Sequence, residues 1–356
     1  MHKTPHRIQL SPPSPHARER GLALMLVIFM LALSSIVLVA LTDSTYVAAR
    51  LNSATQKRVK AEAILKSVVN VAQVLIKNDT TQFDSPTEDA WMQFKDGQEI
   101  PGAMIGLKEP NVRITMQISS AGGKFGLLTL LNPSDGQPNR NQVETLTRLF
   151  KVLGFDQPDR GGSGSGSSQP QQAVNAQQMV VNLVDYLDDN TQGADIQNYP
   201  RGIEGDLPQG KEFRNERVID SLVGELSGIP GFSPERIQRM YNYVSLGKVQ
   251  QININSAEEP VIQALNDQID PQTAQRITQF REPAGGGPFT SDIRQQLDSL
   301  IGQDLSSRIS PLVSPKGSVF DVIAKVEYGT SSYMATAILK DQGPGRLPRI
   351  ESLQIF

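Results

Sequence analysis

The side chains with the clearest capacity for chemistry lie in the segment LVDYLDDNTQGAD, residues 183–195. Their carboxylate and amide oxygens are the kind of ligand that calcium takes, about six to eight at a time. The segment lacks the loop pattern of an EF-hand, and acidic residues at a helix end are common as solvated surface. Solvated surface is therefore the alternative to a calcium site. The candidate calcium ligands are Asp185, Asp188, Asp189 and Asp195, with Asn190 among them.

The rest of the sequence contains few residue combinations that could catalyse a reaction. The sequence has no cysteine, and its three histidines, His2, His6 and His16, all precede residue 22. Residues 22–356 therefore offer no Ser-His or Cys-His pair and no His-ligated or Cys-ligated zinc. A Ser-Lys pair and carboxylate-only chemistry stay open, but no paired-carboxylate motif with a recognisable spacing is present. We expect a protein that is not an enzyme and requires no cofactor, with calcium as the candidate ion.

An apolar run near the N-terminus predicts a membrane helix. A basic, proline-rich head ends at Gly21, and residues 22–41 contain no charged side chain. Twenty helical residues span roughly 30 Å, the thickness of the hydrocarbon core of a bilayer. The run is longer than the apolar region of a secretory signal, which is about 7 to 15 residues. The basic residues before it predict a cytoplasmic N-terminus, with the rest of the chain on the other side of the membrane.

The helical pattern continues beyond the membrane run. Residues 46–76 contain no Pro or Gly, and apolar residues recur there about three or four positions apart. This predicts an amphipathic continuation of the same helix over residues 42–78, which ends at the sequence KNDTT. A membrane anchor followed by a separate helix is the alternative. The apolar positions are Leu51, Ala54, Ala61, Leu65, Val68, Ala72, Leu75 and Ile76.

Strand patterns flank a helical region in the rest of the chain. Residues 112–118, 320–326 and 333–339 alternate apolar with polar side chains, and a last short strand is expected at 349–356. The low-complexity stretch at 160–172 predicts a flexible surface loop. Helical periodicity marks residues 141–155, 171–189, 216–226, 233–245, 258–267, 270–282 and 291–302. Asp270 followed by Pro271 is typical of a helix start.

The leader and the helix after it resemble the class III signal of type IV pilins and type II secretion pseudopilins. The resemblance implies that a prepilin peptidase cuts between Gly21 and Leu22 and methylates the amine of Leu22. Those families usually have Phe first and Glu fifth in the mature chain, whereas Leu22 and Leu26 occupy these positions here. The general secretion pathway protein K family (GspK) of type II secretion minor pseudopilins shares this departure.

Three further stretches look similar to the protein K family. They are LVDYLDDNTQGAD, RNERVIDSLVGELSGIPG and ININSAEEPVIQAL, at residues 183–195, 214–231 and 252–265. The resemblance implies a pilin-like head with a large helical insertion. It also implies calcium in the acidic segment, because some members of the family bind calcium there.

The residue patterns and the resemblance together predict an α+β, pilin-like fold. A long N-terminal helix, transmembrane in its first part, would pack on a small antiparallel sheet. A large all-α domain of the helix-hairpin-helix or SAM-like type would be inserted into that sheet. The predicted parts are a leader peptide at 1–21, a transmembrane helix at 22–41, the stem continuation at 42–78, a first β region at 79–134, the inserted domain at 135–315 and C-terminal strands at 316–356.

Part of the inserted domain also resembles helix-hairpin-helix repeats, at residues 226–244 and 253–297. In DNA-uptake and repair proteins, such repeats present a glycine-rich hairpin to phosphates. The first copy has Gly228 and Gly231 in the hairpin, and the second has NDQID there instead. Removal of residues 1–21 would leave 30 basic and 36 acidic residues, a net charge of −6, which is unsuited to DNA. We therefore favour use of the repeats for packing over DNA binding.

The resemblance to the protein K family implies a minor pseudopilin at the tip of the type II secretion pseudopilus, which starts pseudopilus assembly for protein secretion across the outer membrane. The partners that the resemblance implies are the I-type and J-type minor pseudopilins, the pseudopilus, the prepilin peptidase, the inner membrane and the secretion machinery, and no nucleic acid is expected. The expected location is the inner membrane, single-pass, with a cytoplasmic N-terminus and a periplasmic C-terminal domain. A membrane-anchored helix-hairpin-helix protein that binds or takes up DNA, and a minor pilin of a type IV pilus, are the alternatives.

Mass spectrometry of the N-terminus tests the leader prediction. In cells with a prepilin peptidase, the chain is expected to start at N-methylated Leu22, because Gly21 supplies the cleavage position. Without the peptidase the chain should keep residue 1. An intact residue 1 in the presence of the peptidase, or a cut near residue 42, would show that the segment is not a leader of this class.

Overall fold

The computed structural model describes residues 15–107, 112–157, 174–206, 222–246, 249–282 and 284–356. The α-helices are α1 Pro15–Lys77, α2 Arg140–Val152, α3 Ala176–Leu187, α4 Leu222–Leu226, α5 Pro234–Met240, α6 Glu259–Ala264, α7 Pro271–Phe280, α8 Ile293–Ile301 and α9 Gln303–Ile309. The strands are β1 Gln98–Glu99, β2 Val112–Ser120, β3 Phe125–Gly126, β4 Val244–Ser245, β5 Ile252–Asn253, β6 Val313–Ser314, β7 Val319–Tyr328, β8 Ser331–Lys340 and β9 Arg349–Ile355. Two compact units result, residues 1–61 and residues 62–356, and we call the second unit the head.

A single helix, α1, covers both the predicted membrane run and its predicted continuation. Its described part from Leu24 to Lys77 is long and apolar enough to cross a membrane, with a mean hydropathy of 2.9 in its most apolar window. The helix runs without a break from residues 22–41 into the continuation. The alternative, a membrane anchor followed by a separate helix, is therefore wrong. The helix ends at Lys77, at the KNDTT sequence where the end was predicted.

The sheet of the head is built from strands at both ends of the helical region. Its order is β1-β2-β7-β8-β9, and every neighbouring pair is antiparallel. The central pair, β2 with β7, runs in register from Val112 opposite Tyr328 to Ser120 opposite Phe320. The predicted arrangement of a helical block between sheet-forming segments is thus observed.

One face of the sheet is apolar and buried. Ile114, Met116 and Ile118 alternate with less buried residues along β2, as the sequence pattern predicted. A short 3-10 helix, Ala90–Phe94, was not predicted; its Trp91 is 1% exposed and meets the Phe320 ring edge to face, with 5.0 Å between ring centroids. This aromatic pair extends the buried face with a large apolar surface.

The last turns of α1 belong to the head and supply buried side chains to it. Leu65, Val68 and Ala72 are fully buried, at the spacing of one helical face. The Gln73 side-chain amide donates to the carbonyl of Pro348, at 2.6 Å, just before β9. This part of the helix is therefore tied to the C-terminal strands by a hydrogen bond as well as by burial.

The inserted region is mainly helical, but the prediction of an all-α domain over 135–315 is wrong in one respect. Its described part contains three short strands: β5 pairs in parallel with β6 within the region, and β4 pairs in parallel with β3, which lies before it. The strand residues are almost all buried, and these pairings satisfy main-chain groups that have no helical partner. Two-residue strands are too short to show a periodic pattern, which explains why they were not predicted.

Most predicted helix starts and ends are close to those observed, but the helix expected over 233–245 ends at Met240, and Val244–Ser245 form β4. Asp270 caps α7 by accepting from the main-chain N–H of Thr273 at 2.7 Å, and Pro271 is the first helical residue, as predicted. The helix expected over 291–302 ends at Ile301, and a further helix, α9, follows directly after Gly302. The predicted loop at 160–172 and residues 216–221 of a predicted helix lie outside the described residues.

Partly or fully buried arginine side chains of the helical region donate hydrogen bonds to main-chain carbonyls. Arg236, 4% exposed, donates at 2.9 to 3.1 Å to the carbonyls of Phe155, Gln157, Val174 and Gly231. Arg281 donates to the carbonyl of Ala257 at 2.6 Å, and Arg148 donates to that of Ala264 at 2.8 Å. Burial lowers the pKa of Arg148 and Arg281. These guanidinium groups therefore connect separate segments of the chain through hydrogen bonds to main-chain carbonyls.

The hairpin glycine Gly231 has a packing explanation. Its φ is +100°, and a Cβ there would lie 2.7 Å from both Met179 Cγ and Val174 Cγ1. A Cβ at Gly228 would have the Glu225 carbonyl oxygen as its nearest neighbour, 3.7 Å away, which is an ordinary contact. Gly231 thus allows a close approach of the hairpin to the α3 region, which accounts for this glycine without a phosphate.

Alanine at the two hairpin glycines separates packing from phosphate binding. Gly231→Ala is expected to lower the free energy of unfolding by about 1–3 kcal/mol, because the new methyl group clashes and φ is positive. Gly228→Ala, the matched control, is expected to change it by about 0.5 kcal/mol or less. Chemical denaturation of both variants gives the comparison. Equal effects at the two positions would refute the packing explanation.

Candidate functional site

The predicted cleavage position lies within α1. Gly21 and Leu22 are helical in the structure, and the environment of their side chains is outside its description. Leu26, the fifth residue after the proposed cut, is 54% exposed in the isolated chain. Cleavage after Gly21 and methylation of Leu22 stay predictions.

Asp185 of the acidic segment is a fully buried acceptor of main-chain hydrogen bonds. One carboxylate oxygen accepts from the N–H of Ala194 at 2.6 Å, and the other accepts from those of Ile203 and Glu204 at 2.7 and 3.2 Å. Burial raises the pKa of this carboxyl, and the three N–H donors oppose the rise. Gly202 is required beside it, because a Cβ there would lie 2.2 Å from the carboxylate. Asp185 thus holds the loop after α3 in place.

The other predicted calcium ligands differ in how deeply they are buried. Asp188 is 3% exposed and accepts from the N–H of Asn190 at 3.2 Å; burial raises its pKa to about 6. Asp189 and Asp195 are exposed. These three and Asp185 do not meet as a group around one point in the described structure. Calcium binding by the segment stays a prediction.

Three other carboxylates do meet, at the end of α1. Within the described part of the chain, the group that could share one metal ion is Asp79, Asp84 and Asp89, whose ligand oxygens all lie within 4.8 Å of one another. We call it the Asp79–Asp84–Asp89 cluster. Asp84 and Asp89 are 0% and 2% exposed, and the side chain of Asp79 is 2% exposed. The cluster comes from the loop between α1 and the Ala90–Phe94 helix.

Asp84 connects this loop to two distant segments. Its Oδ2 accepts from the Asn253 amide at 2.5 Å and from the N–H of Gly317 at 3.2 Å. Its Oδ1 is buried and has no hydrogen-bond partner. Asn253 belongs to β5 of the helical region, and Gly317 lies just before β7. One carboxylate therefore joins three segments of the head.

The other two carboxylates are held by nearby polar groups. The Thr81 hydroxyl donates to Asp79 at 2.6 Å and lies 2.9 Å from an Asp89 oxygen, and the N–H of Ser85 donates to Asp89 at 2.7 Å. Lys316 forms an ion pair with Asp79 at 3.2 Å. Burial raises the pKa of Asp84 to about 7, with a smaller contribution from the neighbouring carboxylates, and burial also raises that of Asp89.

The cluster was missed in the sequence because its signal is weak. The loop NDTTQFDSPTED at 78–89 is rich in acids, but the spacing matches no common metal motif. Its partners Asn253 and Gly317 lie 169 and 233 positions away from Asp84. The acidic content of the loop was readable, and its burial and its partners were not.

Comparisons with known proteins agree with the fold. Residues 252–310 match the family described as type II secretion system (T2SS), protein K. The fold is similar to that of a chain in the crystal structure of the GspK-GspI-GspJ complex from the enterotoxigenic Escherichia coli type 2 secretion system. The similarity covers 86% of this chain and 99% of that chain, with a TM-score of 0.57 and 15% identity. No curated protein matches the sequence. The predicted α+β pilin-like fold is confirmed.

Replacement of Asp185 tests its role in the loop. Asp185→Asn keeps the shape but puts an NH2 group against main-chain donors, and hydrogen bonds to a charged group contribute about 1.5–3 kcal/mol each. We expect a loss of about 2–4 kcal/mol in the free energy of unfolding, with faster hydrogen exchange at Ala194 and Ile203. Asp195→Asn, at an exposed position, should change stability by about 0.5 kcal/mol or less. Similar stability of the two variants would contradict the assignment.

Proposed function

We infer that the chain is a GspK-type minor pseudopilin of a type II secretion system, which the protein K match at residues 252–310 and the fold both support. We propose that it is the tip subunit of the pseudopilus and starts pseudopilus assembly together with other minor pseudopilins. The protein K match is the observation that carries the proposal. The role is structural, in agreement with the lack of Cys and His after residue 16.

The apolar N-terminal helix supports membrane anchoring before assembly. It is long and apolar enough to cross a membrane. We propose that it holds the subunit in the inner membrane with the head in the periplasm, and that it packs among other stems in the pseudopilus. The prepilin peptidase would act on Gly21 and Leu22 before this step.

The residue at position 26 supports a place at the end of the filament. In pilin-like proteins the fifth mature residue is usually Glu, which pairs with the N-terminal amine of a neighbouring subunit. A charged amine that is buried without a partner is costly. Leu26 supplies no carboxylate, so this chain is unsuited to receive the amine of another subunit. A subunit at the end of the filament does not need to receive one.

Partnership with other minor pseudopilins follows from the kind of protein that shares the fold. The similar solved chain belongs to a GspK-GspI-GspJ complex. We propose that this chain forms the corresponding complex with the I-type and J-type pseudopilins of its own system. The complex would be the first assembled part of the pseudopilus.

Native mass spectrometry tests the partnership. The full chain is co-expressed with the I-type and J-type minor pseudopilins of the same system and extracted in detergent. We expect a complex with one copy of each subunit. The major pseudopilin is the control partner and should not replace either subunit. A chain that stays alone under these conditions would overturn the proposed partnership.

Substitution at position 26 tests whether the missing carboxylate restricts the subunit to the end of the filament. Leu26→Glu is expected to permit incorporation within the shaft, because it supplies the carboxylate that pairs with a neighbouring amine. Leu26→Gln is the matched neutral control and should not. The chain has no cysteine, so single introduced cysteines give unambiguous crosslinks to the major pseudopilin. Equal crosslinking of the Glu and Gln variants would show that the carboxylate is not the deciding feature.

A further inference from the structure

The Asp79–Asp84–Asp89 cluster carries more negative charge than its protein neighbours balance. The three carboxylates together hold a charge of −3 when ionised. Among the described residues, Lys316 is the cation paired with the cluster, and it contacts Asp79. Buried charges in proteins are normally paired or bound to a metal. The remaining charge of −2 is the charge that a divalent cation neutralises.

A second observation concerns a single buried oxygen. Asp84 is 0% exposed, and its Oδ1 has no hydrogen-bond partner although its Oδ2 has two. A buried acceptor without a donor disfavours folding, and such an atom in a native structure calls for a ligand, a water or an ion. The Oδ2 of Asp79 is also buried without a hydrogen bond, although Lys316 lies near it. The Oδ1 of Asp84 is thus available as a metal ligand, and the Oδ2 of Asp79 lies in the same small group with Lys316 as its ion-pair partner.

The carboxylates are oriented by groups outside the cluster. Thr81, the N–H of Ser85, Asn253 and the N–H of Gly317 donate to them at 2.5 to 3.2 Å. Such outer hydrogen bonds fix the position of metal ligands before the metal arrives. These hydrogen bonds hold the carboxylates in place, while the Oδ1 of Asp84 stays available to an ion.

We propose that the Asp79–Asp84–Asp89 cluster binds a divalent cation, calcium in preference to magnesium. Calcium accepts irregular sets of carboxylate oxygens, whereas magnesium requires near-octahedral geometry and keeps several waters. Because Asp84 also contacts Asn253 and Gly317, the bound ion fixes the end of α1 to the helical region and to the start of β7. This site is separate from the predicted calcium site at residues 185–195, and it does not depend on the pseudopilus function.

Calcium titration of the full chain in detergent, after removal of metals with EDTA, tests the site. Isothermal calorimetry is expected to show calcium binding with a Kd of about 10⁻⁴ to 10⁻³ M, as in modules outside the cytoplasm. The midpoint of thermal unfolding should rise as calcium is added, since a ligand of the folded state stabilises it. Magnesium should raise it less. No binding and no shift up to about 10 mM calcium, well above this Kd range, would overturn the proposal.

Two variants locate the ion. Asp84→Asn keeps the size of the side chain and removes its charge, and it is expected to weaken calcium binding at least about tenfold. Asp195→Asn, in the other acidic segment, is the control and should leave the calcium response unchanged. If Asp84→Asn keeps the response and Asp195→Asn loses it, the ion lies in the 185–195 segment and the proposal is wrong.

Terbium luminescence gives a test that does not depend on the folding of Asp84→Asn. Trp91 is the only tryptophan of the chain and follows Asp89 by two positions. Terbium bound at the cluster should therefore emit when tryptophan is excited, and calcium should displace it. Trp91→Phe should lose the emission and keep the calcium-dependent rise of the unfolding midpoint. Terbium that binds the wild-type chain without tryptophan-sensitised emission would overturn the proposal.

Discussion

The head depends on the antiparallel pairing of β2 with β7, because this pairing joins the segment before the helical region to the segment after it. An ion pair between Lys124 and Asp321, at 3.0 Å, joins the same two segments, and its residues are 197 positions apart in the sequence. The entropy cost of closing such a long loop grows slowly, by about 0.6 kcal/mol for each doubling of its length. Long insertions are therefore compatible with a stable sheet, provided that the two ends of the insertion lie close together.

Glycines allow the two ends of the helical region to meet. A Cβ at Gly122 would lie 3.1 Å from the Cα of Gly317, and a Cβ at Gly317 would lie 2.2 Å from the Ser120 hydroxyl. The carboxylate of Asp84 and the amide of Asn253 lie at the same junction. Close backbone contact and buried polar groups thus fix how the helical region starts and ends on the sheet.

Local patterns of the sequence predicted most of the elements, and the contacts between distant segments stayed hidden. The alternation at Ile114, Met116 and Ile118 identified β2, and Asp270 identified the start of α7, because both signals are contained in a few adjacent residues. The role of Asp185 was read as metal binding, since a run of acids looks the same whether its oxygens face water, an ion or main-chain N–H groups. Only the fold shows that Ala194 and Ile203 come back to it. The Asp79–Asp84–Asp89 cluster was missed for the same reason.

The central claim is that this pilin-like chain occupies one end of a pseudopilus. Phe356 is 66% exposed in the isolated chain, which makes this position suitable for an epitope tag. Immunogold electron microscopy of pseudopili from cells that produce the tagged chain tests the claim most directly. The account predicts gold at one end of each filament. Gold along the shaft, or filaments of normal number and length without any gold, would contradict it.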